Sequence, residues 1–395
     1  MISISNPLLA EYFGVGTPNF SGTEVTEGSA LALSAVYRAV SLISGQLGML
    51  PLRSLRDAGN GTREPQPSFL DEPGGLDGPT SFEWKQTVLM HLLLYGNAFL
   101  AHVYTTAGTL AALAPLHPLA VDVRWATRAE LDEQSWPGGK IFTATLLDDE
   151  TRTFSAADLT HVPSLSSDGL KGMSVIAQAR NGFGTAIAGD RAAAKMFRSG
   201  ALIAGMVTPE EDVEEEEAKK IKRNLDKKLT GWENAGEIAV INRKLKFTPW
   251  TLSAVDAQFL QSRQFQIEEI ARWFGVPPFM LMQAEKQTSW GTGIESQQRG
   301  LSREVLGSWA TLLEQRLARL LPVGRFCEFD FSALERPTPE QEVALLAQKV
   351  DAGLLTINEA RTTLNLPSLD GGDLPRYGGQ PLTSVISTPP PEVIP

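Results

Sequence analysis

The chain has little of what most protein chemistry requires. One cysteine, Cys327, occurs in 395 residues, which excludes an intrachain disulfide framework and suits a reducing compartment. Four histidines, His91, His102, His117 and His161, are scattered without metal-ligand spacing, so no metal site is expected. There is no G-x-x-x-x-G-K-[ST], no G-x-S-x-G, no H-E-x-x-H and no C-x-x-C, so no nucleotide or other cofactor is expected and no enzyme class is indicated. Carboxylates are abundant, yet none is singled out by its setting, and no catalytic residue is assigned. No apolar run approaches the ~18 residues that cross a bilayer; the longest, Val88–Leu94, is short and broken by His91. No Lys or Arg precedes Arg38, so a secretory leader is not expected. Positive charge is short too. Lys and Arg total 35 against 46 Asp and Glu, a net charge of −11, and a protein that grips nucleic acid needs the opposite balance.

What remains is an ordinary globular composition, 42% hydrophobic and 21% charged, organised around the stretch from Ser253 to Gly293. Ser253 and Asp256 form a capping-box-like helix start. Leu260, Ile267, Ile270, Ala271 and Phe274 then share one helical face. Gly275 suits the C-terminus, and Pro277-Pro278 forbids continuation. The polar run QAEKQTSWGTG follows, and a second long helix is expected from Ile294 to about Leu321. By spacing alone, an ordinary surface helix–loop–helix fits these residues as well.

Upstream, Ser29 is placed as the cap of a helix carrying Val36, Val40, Ile43, Leu47 and Leu50. Residues 57–79, rich in Gly and Pro, read as a loop. Thr80 and Glu83 make a capping box for a helix ending at Gly96. From Ala98 to His161 short β-rich runs alternate with turns, and His161 reads as a structural side chain. Ser174 starts a helix with Ile176, Ala179, Phe183, Ile187 and Ala194 on one stripe. Gly182, Gly184 and Gly189 lie inside it, each costing ~1 kcal/mol of helix propensity, so close approach by another backbone is expected. Residues 201–252 read as strands around a helix that runs from acidic Glu210 to basic Lys228. That order suits the helix dipole, with Glu215–Lys219 and Glu216–Lys220 pairs at i,i+4; on charge pattern alone it is a solvated helix. RFCEFDF reads as a strand, Thr338-Pro339 and Thr356–Glu359 open two further helices, and the tail is Pro-rich.

Six of these segments carry a shared resemblance. They are AVYRAVSLISGQLGMLPL, Gly96-Asn97-Ala98-Phe99, Asp158-Leu159-Thr160-His161-Val162, Asp168-Gly169-Leu170-Lys171-Gly172-Met173-Ser174, Glu269-Ile270-Ala271-Arg272 through Pro277-Pro278, and Gly353 through Thr356-Ile357-Asn358-Glu359-Ala360-Arg361. In this order they resemble the portal proteins of tailed bacteriophages, of the short-chain siphophage type, over about residues 29–375. Three positions depart from the family pattern: Gly74 where Asn is common, Val175 where Pro is usual, and Gly293 before Ile294-Glu295 where Asn is frequent. The resemblance implies an α+β portal fold assembled as a ring. Its parts would be an N-terminal arm (1–28), a wing (29–173), a first stem helix (174–200), a clip (201–252) and a second stem helix (253–275). A tunnel loop (276–293), a long helix with a wing strand (294–335), a helical crown (336–375) and a Pro-rich tail (376–395) would follow.

It further implies a homo-dodecameric channel at one capsid vertex for DNA packaging, retention and ejection. The implied partners are the major capsid protein, the terminase large subunit, then the head–tail adaptor protein, and double-stranded DNA in transit, with no membrane. The implied location is the virion, after assembly in the host cytoplasm. Gln283, Glu285, Lys286, Gln287, Thr288, Ser289 and Trp290 would lie in the tunnel loop that lines the DNA channel. As a large apolar group in a polar loop, Trp290 is read as an anchor packed back on the stem, with contact to DNA as the alternative. The acidic net charge agrees with a wall past which DNA slides, because each added phosphate contact would make it stick. Glu214, Glu215, Lys219, Lys220, Lys222 and Arg223 would form the clip docking surface. Two other classes stay open from the residues themselves: a hydrolase whose triad is assembled only in space, and a cytoplasmic scaffold ring unrelated to DNA.

Overall fold

The computed structural model describes residues 20–59, 62–134, 139–146, 150–198, 205–209, 216, 219–220, 245–249, 254–282, 300–334, 339–377 and 380–381. The chain divides into two compact units, Met1–Asp330 and Phe331–Pro395. Both helices and sheets build the first, giving an α+β fold.

Helix α1 (Glu27–Leu31) is a short helix with its own capping box. Thr26 Oγ1 accepts from the Ser29 amide at 3.1 Å, and Ser29 Oγ accepts from the Thr26 amide at 2.8 Å. Ser29 therefore closes the box inside α1 and does not cap the long helix, as the sequence had suggested. Helix α2 (Ser34–Met49) starts after Leu33 without a side-chain cap. It buries Val36, Ala39, Val40, Ile43 and Leu47, and the buried ammonium of Lys85 donates to the Leu50 carbonyl at its end.

Strand β1 (Leu52–Asp57) turns back into β2 (Arg63–Gln66). The second strand lies where a loop was expected. Arg56 ion-pairs with Glu64 on the neighbouring strand, and Arg63 reaches past β1 to Glu328; these charges hide the alternation by which strands are usually read. Helix α3 (Ser81–Tyr95) has the expected Thr80–Glu83 box and ends at Gly96 in the left-handed region, φ 71°. Then come β3 (Asn97–Tyr104), β4 (Leu110–Leu116), β5 (Val121–Trp125), α4 (Arg128–Gln134), β6 (Lys140–Thr145), β7 (Thr151–Phe154) and β8 (Leu159–Pro163). They form two three-stranded antiparallel sheets, ordered β4-β3-β8 and β5-β6-β7. Phe99, Val123, Phe142, Phe154 and Leu159 fill one core cluster with residues from both.

The helix expected from Ser174 is two helices. Ser174 caps α5 (Val175–Gln178), the chain breaks at Ala179, and α6 (Arg180–Arg198) follows. Strands β9 (Gly205–Pro209) and β10 (Leu245–Pro249) pair antiparallel. Helix α7 (Ala254–Phe274) ends at Gly275, followed by a 3₁₀ turn, Pro278–Leu281. The chain re-enters at Gly300 in a π-helical turn, Leu301–Leu306, continued by α8 (Gly307–Leu317) and a 3₁₀ turn. Strand β11 (Arg325–Phe329) then pairs with β1, completing a sheet ordered β11-β1-β2.

The second unit holds α9 (Pro339–Asp351) and α10 (Ile357–Thr363), with a short β12–β13 pair at 376–377 and 380–381. The Thr356–Glu359 capping box is present. Asn358 is buried and fastens the following loop: its Oδ1 accepts from the Leu369 amide at 2.8 Å, and its Nδ2 donates to Asp373 at 2.8 Å.

Candidate functional site

The two longest helices of the middle of the chain, α6 and α7, lie against each other. A Cβ at Gly182 would meet the Glu269 carboxylate of α7 at 3.1 Å, and one at Gly189 would come within 3.9 Å of the Gln266 side chain. The glycines thus make room for polar side chains of α7 in the same chain, and the second backbone expected there is replaced, at Gly182, by a carboxylate. Further along, Arg263 pairs with Asp190 at 2.6 Å, both half-exposed, a geometry worth at most ~1 kcal/mol. The buried side of α7 is apolar, with Ile270, Ala271 and Phe274 in the core. Its outer side keeps Phe265 and Trp273 exposed, with the Arg272 guanidinium 5.3 Å from the Phe265 ring centre.

The stop after α7 is a Schellman motif. The Val276 amide donates to the Ala271 carbonyl at 2.9 Å and the Gly275 amide to the Arg272 carbonyl at 3.2 Å. Gly275 has φ 68°, a conformation that glycine adopts without the Cβ penalty. Val276 is buried beneath it. Beside this stop opens a groove of about 320 Å³ bounded by Glu268, Arg272, Gly275 and Pro277-Pro278. Arg38 of α2 donates to the Met280 carbonyl at 3.3 Å and so fixes the 3₁₀ turn. The described chain departs at Met282, exposed and left-handed at φ 64°. On its return, Val305 lies 3.1 Å from where a Gly275 Cβ would be.

Gln283, Glu285, Lys286, Gln287, Thr288, Ser289 and Trp290 lie outside the described residues, as do Glu214, Glu215, Lys222 and Arg223. Lys219 and Lys220 are described, helical and exposed. Lys219 sits 3.6 Å from Glu216, three residues away, so a surface ion pair is present on this helix.

A third cluster was hidden from sequence reasoning. Asn97, the first residue of β3, joins three segments far apart in the chain. Its Oδ1 accepts from the Gly172 amide at 2.7 Å and lies 3.0 Å from His161 Nε2. Its Nδ2 donates to the carbonyls of Tyr95 at 3.0 Å and Gly172 at 2.9 Å. Of the two residues at this helix-to-strand corner Gly96 takes the left-handed backbone, and the side-chain amide of Asn97 serves as the connector. His161 stacks on Phe99 at 4.7 Å. Burial pushes its imidazole down to about 3, so it is neutral and structural, as expected. Around this hub the backbones touch: the Ser164 amide donates to the Gly96 carbonyl at 2.8 Å, and a Cβ on Gly172 would collide with that same carbonyl. Lys140 holds the loop from outside through the Gly169 and Leu170 carbonyls. Three of the recurring motifs, Gly96-Asn97, the strand with His161 and the loop with Gly172, thus meet at one point and do not line a catalytic cleft. Among the described residues no group of three or more His, Cys, Asp or Glu is placed to hold a metal ion, and no helix is long and apolar enough to cross a membrane.

The family model described as "Phage portal protein" matches residues 34–365. The chain is 31% identical over 376 residues to the probable portal protein of Streptomyces phage phiC31, covering 91% of this chain and 80% of that one. It is 30% identical over 365 residues to the portal protein of Enterobacteria phage HK97, covering 89% and 83%. Among solved structures, an HK97-family phage portal protein from Corynebacterium diphtheriae superposes with a TM-score of 0.56 at 16% identity, over 80% of this chain and all of that one.

Proposed function

The chain belongs to the phage portal protein family, and from that membership we propose that it works as a ring of twelve copies at one vertex of a capsid. Double-stranded DNA passes inward through the ring during packaging, is held there, and leaves through it at ejection. The family is a structural one. In this reading α6 and α7 are the stem, residues 201–252 the clip, and 276–293 the tunnel loop. The wing is built from 29–173 with the strand near 329, and 336–375 form the crown. The observation that carries the reading is the end of α7. The chain departs at Met282 after a Schellman stop and two prolines, and re-enters with Val305 against Gly275. Departure and return at one end of a long helix are what a loop projecting from a stem requires. Electron micrographs of the purified full chain test the proposal: rings with a central hole are expected, and a uniform monomer would overturn it.

On this reading Gln283, Glu285, Lys286, Gln287, Thr288 and Ser289 face the passage, and Trp290 packs back on the stem as an anchor. Gln287, Thr288 and Ser289 are neutral, and Glu285 beside Lys286 cancels, so twelve copies present no phosphate-binding collar. Deleting Lys286–Ser289 is expected to leave capsids assembled but short of DNA. The check is the DNA content of purified particles, and full, stable heads would show that the loop does not line the constriction. Glu214, Glu215, Lys219, Lys220, Lys222 and Arg223 of the clip dock first the terminase large subunit and then the head–tail adaptor, while the wing meets the major capsid protein. The protein assembles in the host cytoplasm and ends in the virion.

A further inference from the structure

The second unit, Phe331–Pro395, has almost no interior. Among its described residues the buried side chains are Leu346, Asn358 and Ala360. A core this small supplies little stability on its own, and small units commonly add a disulfide, a metal or association. The chain's one cysteine lies elsewhere, and no metal-holding cluster occurs among the described residues. Association is what its surface supports. Helix α9 buries Leu346 but leaves Val343 54% and Leu345 44% exposed, and Leu354 in the turn beyond is 73% exposed.

The placement of these side chains matters more than their number. An amphipathic helix on a self-sufficient unit gathers its apolar residues on one stripe facing the core. Val343 and Leu345 are two residues apart, which puts them ~160° from each other around the helix axis. The helix therefore offers an apolar flank on either side of the one residue it buries. A two-fold dimer uses one self-complementary patch, whereas a closed ring uses two different patches on opposite sides of each subunit.

We propose that α9 is an intersubunit element: the Val343 flank of one copy packs against the Leu345 flank of the next, around the whole ring, and the second unit completes its core only there. This inference rests on the ring reading above and adds to it the surface, the residues and the head-to-tail sense of the contact.

Cysteine chemistry tests it. Cys327 is buried, and burial pushes its thiol up to about 12, so the wild-type chain is silent toward maleimides at neutral pH. The full-length variants are Val343→Cys, Leu345→Cys and the double substitution, each keeping a small apolar side chain at an exposed position. Each is treated with a short bis-maleimide, and its native size is read separately by light scattering. The double variant is expected to give a denaturing-gel ladder rising to the full ring, while each single variant gives none. Intact rings without a ladder would overturn the inference and leave the ring reading standing. Dimers from a single variant would also overturn it, because they require a two-fold contact. A chain that never exceeds a monomer by light scattering sinks the ring reading, and this inference with it.

Discussion

The Asn97 hub and the α6–α7 pair are both built on glycine, and they use it in opposite ways. At the hub, Gly96 and Gly172 bring backbone against backbone, and the atoms a side chain would meet are carbonyls and amides. Nothing there can move aside. In the helix pair, Gly182 faces the far end of the flexible Glu269 side chain, and the neighbouring ion pair, Asp190–Arg263, is half-exposed. One region is fixed by neighbours that cannot yield, the other touches through side chains that can swing. The contrast separates the part of the chain that must hold a shape from the part that has slack to adjust.

The largest expected effect breaks the hub. Gly172→Ala drives a methyl into the Gly96 carbonyl and the Ser164 amide, and should destabilise by on the order of 4 kcal/mol, near the upper end for one substitution. Urea unfolding measures it, and a loss below 1 kcal/mol would show that the hub yields as readily as the helix pair. A middle effect reads the hub through pH. The folded His161 titrates at about 3 and an unfolded histidine near 6.5. The depressed value means its share of stability is complete above about pH 6.5. That share is lost as pH falls, because the unfolded chain takes up a proton that the folded one refuses. Between about pH 7.5 and 5 this amounts to about 2 kcal/mol. His161→Gln keeps an amide donor for Asn97 and should flatten the stability–pH curve by that amount; an unchanged slope counts against the buried neutral imidazole. The smallest effect belongs to the helix pair. Gly182→Ala gains about 1 kcal/mol of helix propensity and asks only that Glu269 swing away, so the free energy of unfolding should change by under about 1 kcal/mol. A loss as large as that of Gly172→Ala would erase the contrast.

Much of this was legible in local chemistry. The Thr80–Glu83 and Thr356–Glu359 boxes, the left-handed Gly96 and the stop at Gly275 each depend on residues within one or two turns, and the structure has all four. Contacts between distant segments were not legible. Asn97 meets Gly172 across 75 residues, and no periodicity reports a side-chain amide spanning such a gap. Strand β2 was hidden by prolines and by charges that pair across the sheet. Ser29 was misassigned because two helix starts, at Thr26 and Leu33, stand within a few residues of each other.

The π-helical turn at Leu301–Leu306 carries a consequence about phase. Leu306, Ala310, Leu313 and Leu317 are all buried, and their spacing of four, three and four keeps them on one side of an α-helix. Leu301 is buried too, yet in an α-helix a five-residue step would leave it ~140° out of phase with Leu306. A π turn, bonded from i to i+5, brings residues five apart back over one another. The extra residue thus works as a phase corrector between the segment returning toward Gly275 and the buried face of α8. Removing one residue here would rotate the incoming chain by about a quarter turn, so the length of this turn, more than its side chains, sets how the two segments meet.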